Sequence, residues 1–166
     1  DAGRGIVFAS IGLIMLAMLV APAFAQRMSV RAGWLLALSP VAAFGYFLSQ
    51  LPEVARGGVL TESFSWVPGL GVELAFRLDG LSMLFALLIT GIGALIVLYS
   101  GAYLHGHAHL GRFYAYLLGF MAAMLGLVLA DDLIAMFVFW ELTSVSSFLL
   151  IAFEHDKAAS RRAALQ

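Results

Sequence analysis

LIAMFVFWELTSVSSFLLIAF, residues 133 to 153, is apolar along its whole length except for one charged residue near its middle, Glu141, and the hydroxyls that follow it. A run of this length crosses the roughly 30 Å hydrocarbon core of a bilayer as a helix rising about 1.5 Å per residue. A carboxylate at that depth costs about 2.5 to 3.5 kcal/mol on insertion scales. An apolar residue would span at no such cost, so the default reading of Glu141 is an ion or proton site facing the interior of a helix bundle.

Working outward, the apolar run 113 to 130 precedes this segment, with only Asp131 and Asp132 between them. Two helices so briefly joined run antiparallel and pack as neighbours. Three further runs qualify as spans, at about 5 to 25, 33 to 51 and 80 to 103. The composition agrees: 63% hydrophobic and 11% charged residues, where soluble domains hold roughly 25% charged. The fold class expected is therefore an all-α polytopic membrane protein with five transmembrane helices. It divides into residues 1–51 (helices 1 and 2), 52–79 (a link), 80–103 (helix 3), 113–153 (helices 4 and 5) and a tail, 154–166. A formal net charge of -1 and the lack of a basic cluster argue against nucleic acid as a partner. With no cysteine, the chain offers no thiolate metal site and no iron-sulfur ligation, and no cofactor is expected.

Arginine and lysine set the expected orientation. Arg27 and Arg31 fall at the first link, Arg112 at the third, and Lys157, Arg161 and Arg162 in the tail. The alternate links hold Glu53, Glu62, Glu73, Asp79, Asp131 and Asp132 against Arg56 and Arg77. The positive-inside rule then places the N-terminus outside and the tail in the cytoplasm. Arg4, the apolar run Ile6 to Val20 and the pattern Ala23-Phe24-Ala25 also resemble a signal peptide. Cleavage there would spoil the loop pattern, so a retained first helix is the better account.

The link 52–79 contains an expected extracytoplasmic β-hairpin. Phe64 and Trp66 alternate with polar neighbours, Pro68-Gly69 supplies the turn, and Val72, Leu74, Phe76 and Leu78 alternate again at period two. Its expected role is to cover helix ends or touch a partner subunit.

For chemistry, helical spacing puts Ser144 and Val145 on the side of Glu141, with Ser147 and Phe148 one turn on and Thr143 and Ser146 further round. Ser144, Ser147 and Thr143 are the candidates for a hydrated path beside the carboxyl. The competing reading, which the hydroxyls alone favour, is that they bond carbonyls of their own helix or join neighbouring helices. Loss of water favours the protonated form of Glu141 and a nearby cation the ionised form, so a partner that comes and goes would make it accept and release a proton. No lysine or arginine well inside the five runs can be that partner. Asp131-Asp132 reads as a solvated turn that complements the N-terminal end of the next helix. The histidines 105, 107 and 109 in YLHGHAHLGRF read as a surface loop rather than a metal site. Arg77 and Asp79 are expected to pair with each other or anchor the third span.

The stretches RLDGLSMLFALLITGIGALIVLYSGAYL and GRFYAYLLGFMAAMLGLVLADDLIAMFVFWELTSVSSFLLIAF resemble the antiporter-like subunits shared by respiratory complex I and multisubunit sodium/proton antiporters. Within that superfamily, WELTSVSSFLLI at 140 to 151 and the tail ASRRAALQ are similar to the A-subunit branch of the Mrp cation/proton antiporters, and the WE-Gly-Val-Gly sequence typical of the complex I counterpart does not occur. The resemblance runs over essentially the whole chain and is most specific from residue 77 onward. It implies that Glu141 is the family's fifth-helix glutamate, which transfers protons in partnership with a seventh-helix lysine that lies outside this sequence. It also implies inverted five-helix repeats, of which this chain would hold only the first two helices after three leading ones. On that reading the chain is the N-terminal part of a longer subunit, and the initial Asp1 fits an incomplete record.

The function expected is an ion-translocating subunit of a monovalent cation (Na+)/proton antiporter in a bacterial-type cytoplasmic membrane, a secondary transporter rather than an enzyme. Its partners would be the bilayer, H+ with Na+ or another monovalent cation, and the other subunits of a hetero-oligomeric complex. The alternatives are the proton-pumping arm of a redox-driven complex and a non-conducting scaffold.

Overall fold

The computed structural model describes residues 5–28, 30–70, 72–104 and 109–153. Five helices, α1 (Ile6–Met28), α2 (Val30–Ala55), α3 (Gly80–Tyr103), α4 (Leu110–Leu129) and α5 (Leu133–Ile151), are each long and apolar enough to cross a membrane. Between α2 and α3 lie two antiparallel strands, β1 (Leu60–Val67) and β2 (Val72–Leu78), joined through a short 3-10 turn at Pro68–Leu70. The five-helix class with a small hairpin is therefore the architecture of the described residues. The first link is far shorter than expected. α1 continues through Ala23-Phe24-Ala25 to Met28 and α2 begins at Val30, so Arg27 and Arg31 belong to the ends of helices rather than to a loop. α2 also runs on through Pro52 to Ala55 and then turns at Gly57, whose φ of 87° suits a residue without a Cβ. The tail 154–166 and two of the three histidines, 105 and 107, lie outside the described residues.

α1 to α4 form a ring in which α1 packs on α2 and α4, and α3 on α2 and α4. α5 lies outside that ring, against α4. Small residues set the close approaches, as in membrane bundles generally, where no hydrophobic force draws helices together and packing must. Gly93 of α3 leaves room for Met121 of α4, Gly33 of α2 receives the Tyr114 hydroxyl, and Gly126 of α4 receives the Phe139 ring of α5. The centre is filled by Phe47, Met83, Tyr114, Leu118 and Leu125, all at most 2% exposed.

The hairpin gathers three helix N-termini. Every helix begins with amides that lack an intrahelical acceptor, and its N-terminal end carries partial positive charge, so carboxylates settle there. Glu62 of β1 accepts from the amides of Val7 and Phe8 at the start of α1 (3.1 and 3.2 Å). Asp79, directly after β2, caps α3 through the amides of Leu81 and Ser82, and Ser82 answers by accepting from the Asp79 amide at 2.8 Å. Asp132 caps α5 through Ile134 and Ala135, and its second oxygen accepts from the Ala75 amide of β2 at 2.9 Å. The Asp131 amide donates to the Ala75 carbonyl, completing the contact between strand and turn. Asp131-Asp132 thus complements a helix N-terminus as expected and also pins the hairpin. Because these bonds join the starts of α1, α3 and α5 to one hairpin, all three lie at the same end of the bundle.

The strand pattern explains the docking. Phe76 and Leu78 alternate inward on β2 and are 2% and 0% exposed. Glu62, opposite Phe76, takes the inward position on β1, while Phe64 and Trp66 near the tip stay exposed. Arg77 and Asp79 pair with each other at 3.4 Å. The Ser82 amide above all, with the Leu81 amide and Arg77 adding to it, holds the Asp79 carboxyl below the usual carboxylate range.

Candidate functional site

Glu141 is the ninth residue of α5, about 12 Å along the helix from Leu133 at 1.5 Å per residue. That places it well inside the span. The buried face of α5 consists of Ala135, Phe139 and Ser146, a stripe turned toward α4. Glu141 is exposed and lies on the opposite side, among Ile134, Phe137, Val145 and Phe148, which are 43% to 63% exposed. The carboxyl therefore does not face the interior of these five helices. It stands on an apolar face that the described helices leave exposed, because α5 packs chiefly along α4 and the edge of β2.

The hydroxyls of this helix are engaged locally. Thr143 Oγ1 donates to the Trp140 carbonyl at 2.6 Å, and Ser144 Oγ donates to the same carbonyl at 3.3 Å. Ser146 Oγ donates to Leu142 at 2.7 Å and Ser147 Oγ to Ser144 at 3.1 Å. Each O–H is thus committed to a carbonyl of its own helix, and only the oxygen lone pairs remain to accept. Ser144 is exposed, Thr143 and Ser147 are half-buried, and Ser146 is buried against α4. Of the candidates, Ser144 lies nearest the face of Glu141, about 60° round the helix, whereas Ser147 lies about 120° and Thr143 about 160° round, toward the buried face.

Among the described residues no group of three histidine, cysteine, aspartate or glutamate side chains could hold a metal. Of the other polar side chains buried in the bundle, Ser39, Thr90 and Ser100 likewise donate to carbonyls of their own helices, while the buried hydroxyls of Tyr46 and Tyr114 have no hydrogen-bond partner among the described residues. Sequence reasoning did not find the capping role of Glu62, since no local pattern connects positions 55 residues apart. It also passed over the Asp79-x-x-Ser82 capping box, which the sequence does announce as a polar pair three residues apart opening an apolar run.

Two family models match the chain. One, described as the N-terminus of chain 5 of NADH-ubiquinone oxidoreductase (complex I), covers residues 64–114. The other, described as the transmembrane region of NADH:quinone oxidoreductase/Mrp antiporter, covers residues 130–166 and includes Glu141. The A1 subunit of the Na(+)/H(+) antiporter of Staphylococcus haemolyticus is 52% identical over 131 residues, 79% of this chain and 16% of the relative. Its Na(+)/H(+) antiporter counterpart in Alkalihalophilus pseudofirmus is 46% identical over 147 residues, 88% of this chain and 18% of the relative. The chain thus spans about one sixth of the length of these curated relatives. Among solved structures, the Mrp complex from a Dietzia species contains a chain that matches with a TM-score of 0.82 and 34% identity, over 96% of this chain and 17% of that one. A chain of the membrane-bound sulfane sulfur reductase, an archaeal respiratory membrane complex, matches with a TM-score of 0.63 over 86% of this chain and 23% of that one; at 23% identity it shows a shared fold.

Proposed function

The chain belongs to the antiporter-like subunit family of NADH:quinone oxidoreductases and Mrp antiporters, beside the A subunits of Na(+)/H(+) antiporters, and on that premise we propose that it translocates ions in a multisubunit cation/proton antiporter. Glu141 is the proton-transfer residue, and Na+ is the cation exchanged for H+ elsewhere in a hetero-oligomeric complex. One observation carries this reading: a charged residue about 12 Å inside a span, on a helix face that α4 and β2 leave uncovered. A carboxyl set there requires a countercharge, and no lysine or arginine of the described spans lies level with it. The partner is then a cation on another helix of the assembly. Its approach favours the carboxylate and its withdrawal the acid, so proton uptake and release follow charge movement next door. Ser144, the hydroxyl nearest that face, offers an acceptor oxygen to water reaching Glu141 once it turns from its helix carbonyl, with Ser147 and Thr143 further round the helix as the remaining candidates.

The hairpin, with the N-termini of α1, α3 and α5, faces the outside, and the basic ends at Arg27, Arg31 and Arg112 face the cytoplasm of a bacterial cell. The acidic caps gather at one end of the bundle and the arginines of the other links at the opposite end, which supports that orientation.

The test is cation-driven proton movement in inverted membrane vesicles carrying the whole complex, comparing wild type with Glu141→Gln and Glu141→Asp at matched, verified assembly. Exchange is lost with glutamine, which keeps the shape but cannot ionise, and is partly kept with aspartate. Full exchange with glutamine overturns the assignment. A fall in complex abundance with unchanged exchange per complex would identify a packing role instead.

A further inference from the structure

The outer surface of α3 and α4 carries a furrow that the bundle leaves open. At the hairpin end it is a recess of about 350 Å³ between Arg77, Asp79, Phe85 and Trp140. Further along the same two helices lies a second recess of about 250 Å³. On α3 the lining steps from Leu81 and Phe85 to Leu88, Ile92 and Ile96, every third or fourth residue, and so forms one stripe. On α4 it returns from Val128 through Met124 to Leu117. From Leu81 to Ile96 the stripe is about 22 Å long at 1.5 Å per residue, which exceeds the roughly 15 Å depth of one hydrocarbon leaflet.

One cation stands at the mouth of this apolar track. Arg77 Nε is held by Asp79 Oδ2 at 3.4 Å with the side chain 48% exposed, which orients the guanidinium. The other Asp79 oxygen, Oδ1, is committed to the amides that start α3. The two terminal nitrogens of the fork are thereby presented at the level where a span meets the headgroups, and a planar fork of this kind suits phosphate. We propose that the furrow binds a phospholipid, with its phosphate on Arg77 and an acyl chain along the α3–α4 stripe beside Trp140. Charge complementarity selects this occupant: a phospholipid joins a fixed anion to a hydrocarbon chain in the order that Arg77 and the stripe require. A transmembrane helix in the furrow would bring the hydrocarbon-covering surface without the anion.

The test uses the whole antiporter complex in its own membrane, with the photoreactive residue p-benzoylphenylalanine at Ile92, which is 53% exposed in the furrow. A second complex carries it at Leu95, which is 66% exposed and outside the furrow lining. After irradiation, mass spectrometry identifies what is attached. At Ile92 a phospholipid adduct is expected, surviving detergent extraction before irradiation, while the adduct at Leu95 is lost on extraction. Arg77→Gln should lower the Ile92 yield by roughly tenfold to a hundredfold, the weight of one charge-assisted hydrogen bond, and Arg77→Lys should retain most of it. A polypeptide attached at Ile92 overturns the proposal in favour of a helix. So does a lipid adduct that disappears with detergent as readily as the one at Leu95, or one indifferent to Arg77→Gln. The extraction comparison needs only the native Arg77, so it decides even if the Arg77→Gln complex does not assemble.

Discussion

Asp132 holds two elements with one carboxyl, and replacing it separates the contributions. One oxygen caps α5 by accepting from Ile134 and Ala135 at 2.9 and 2.8 Å, and the other accepts from the Ala75 amide of β2 at 2.9 Å. Removing an N-cap acceptor costs about 1 kcal/mol, with a range of roughly 0.5 to 2. Leaving the partly buried Ala75 amide without its acceptor adds about 1 kcal/mol, since water reaches it in part. Asp132→Ala should therefore destabilise the contact between hairpin, turn and helix by about 2 to 3 kcal/mol. Asp132→Asn keeps one acceptor oxygen, so it can cap α5 or serve Ala75 but not both, because the amide nitrogen then meets a donor; about half the loss is expected. Hydrogen exchange followed by mass spectrometry on the assembled complex reads both effects. Protection across residues 72–78 and 133–137 should fall by roughly thirtyfold to a hundredfold with alanine, taking 1.4 kcal/mol as a factor of ten. With asparagine only one of the two segments should lose it. Unchanged protection of the strand in Asp132→Ala would refute the view that this carboxyl fastens the hairpin.

Gly126→Ala places a Cβ within the Phe139 ring, so it should weaken the α4–α5 contact by about 1 to 3 kcal/mol as overpacking does. Gly126→Ala combined with Phe139→Leu should recover part of the loss in thermal unfolding of the purified complex, whereas simple additivity would show that the two residues are not in contact. Asp79 contributes to stability with a defined pH dependence. Its carboxyl is held below the usual range by the Ser82 amide first of all, so its contribution is fully present above the ordinary carboxylate pKa and is lost only as pH falls through the lowered value. The stability difference between wild type and Asp79→Asn should accordingly persist down to about pH 4 and shrink only below it; a difference that fades nearer neutrality would contradict the capping geometry. Finally, the sequence contains no cysteine, and Ser65 on β1 is exposed. A Ser65→Cys variant should react with a membrane-impermeant maleimide in intact cells, and reaction only after lysis would invert the proposed orientation.

The number of spans and the hairpin were legible in the amino-acid sequence because each rests on local physics. A run of apolar residues long enough for the bilayer must satisfy its own backbone as a helix. Alternation at period two around Pro68-Gly69 must put one face of a hairpin inward, and Asp132 ahead of an apolar run is a helix start wherever that run packs. Glu141 stood out for the same reason, since its cost depends on depth and not on neighbours. Which way Glu141 points was not legible. The buried stripe Ala135, Phe139 and Ser146 is no more apolar than the exposed one, and a bilayer, unlike water, imposes no polarity difference between the two faces. The contacts that choose between them are steric: Gly126 accepts the Phe139 ring, so α5 turns that side to α4 and leaves Glu141 outward. The role of Glu62 is also tertiary, because its carboxylate meets amides 55 residues away only after β1 has been laid beside the start of α1. Sequence by itself determined what must cross the membrane, what would be costly there and which helices Asp79 and Asp132 start; tertiary packing alone decided which helix end Glu62 serves and which face carries the intramembrane carboxyl.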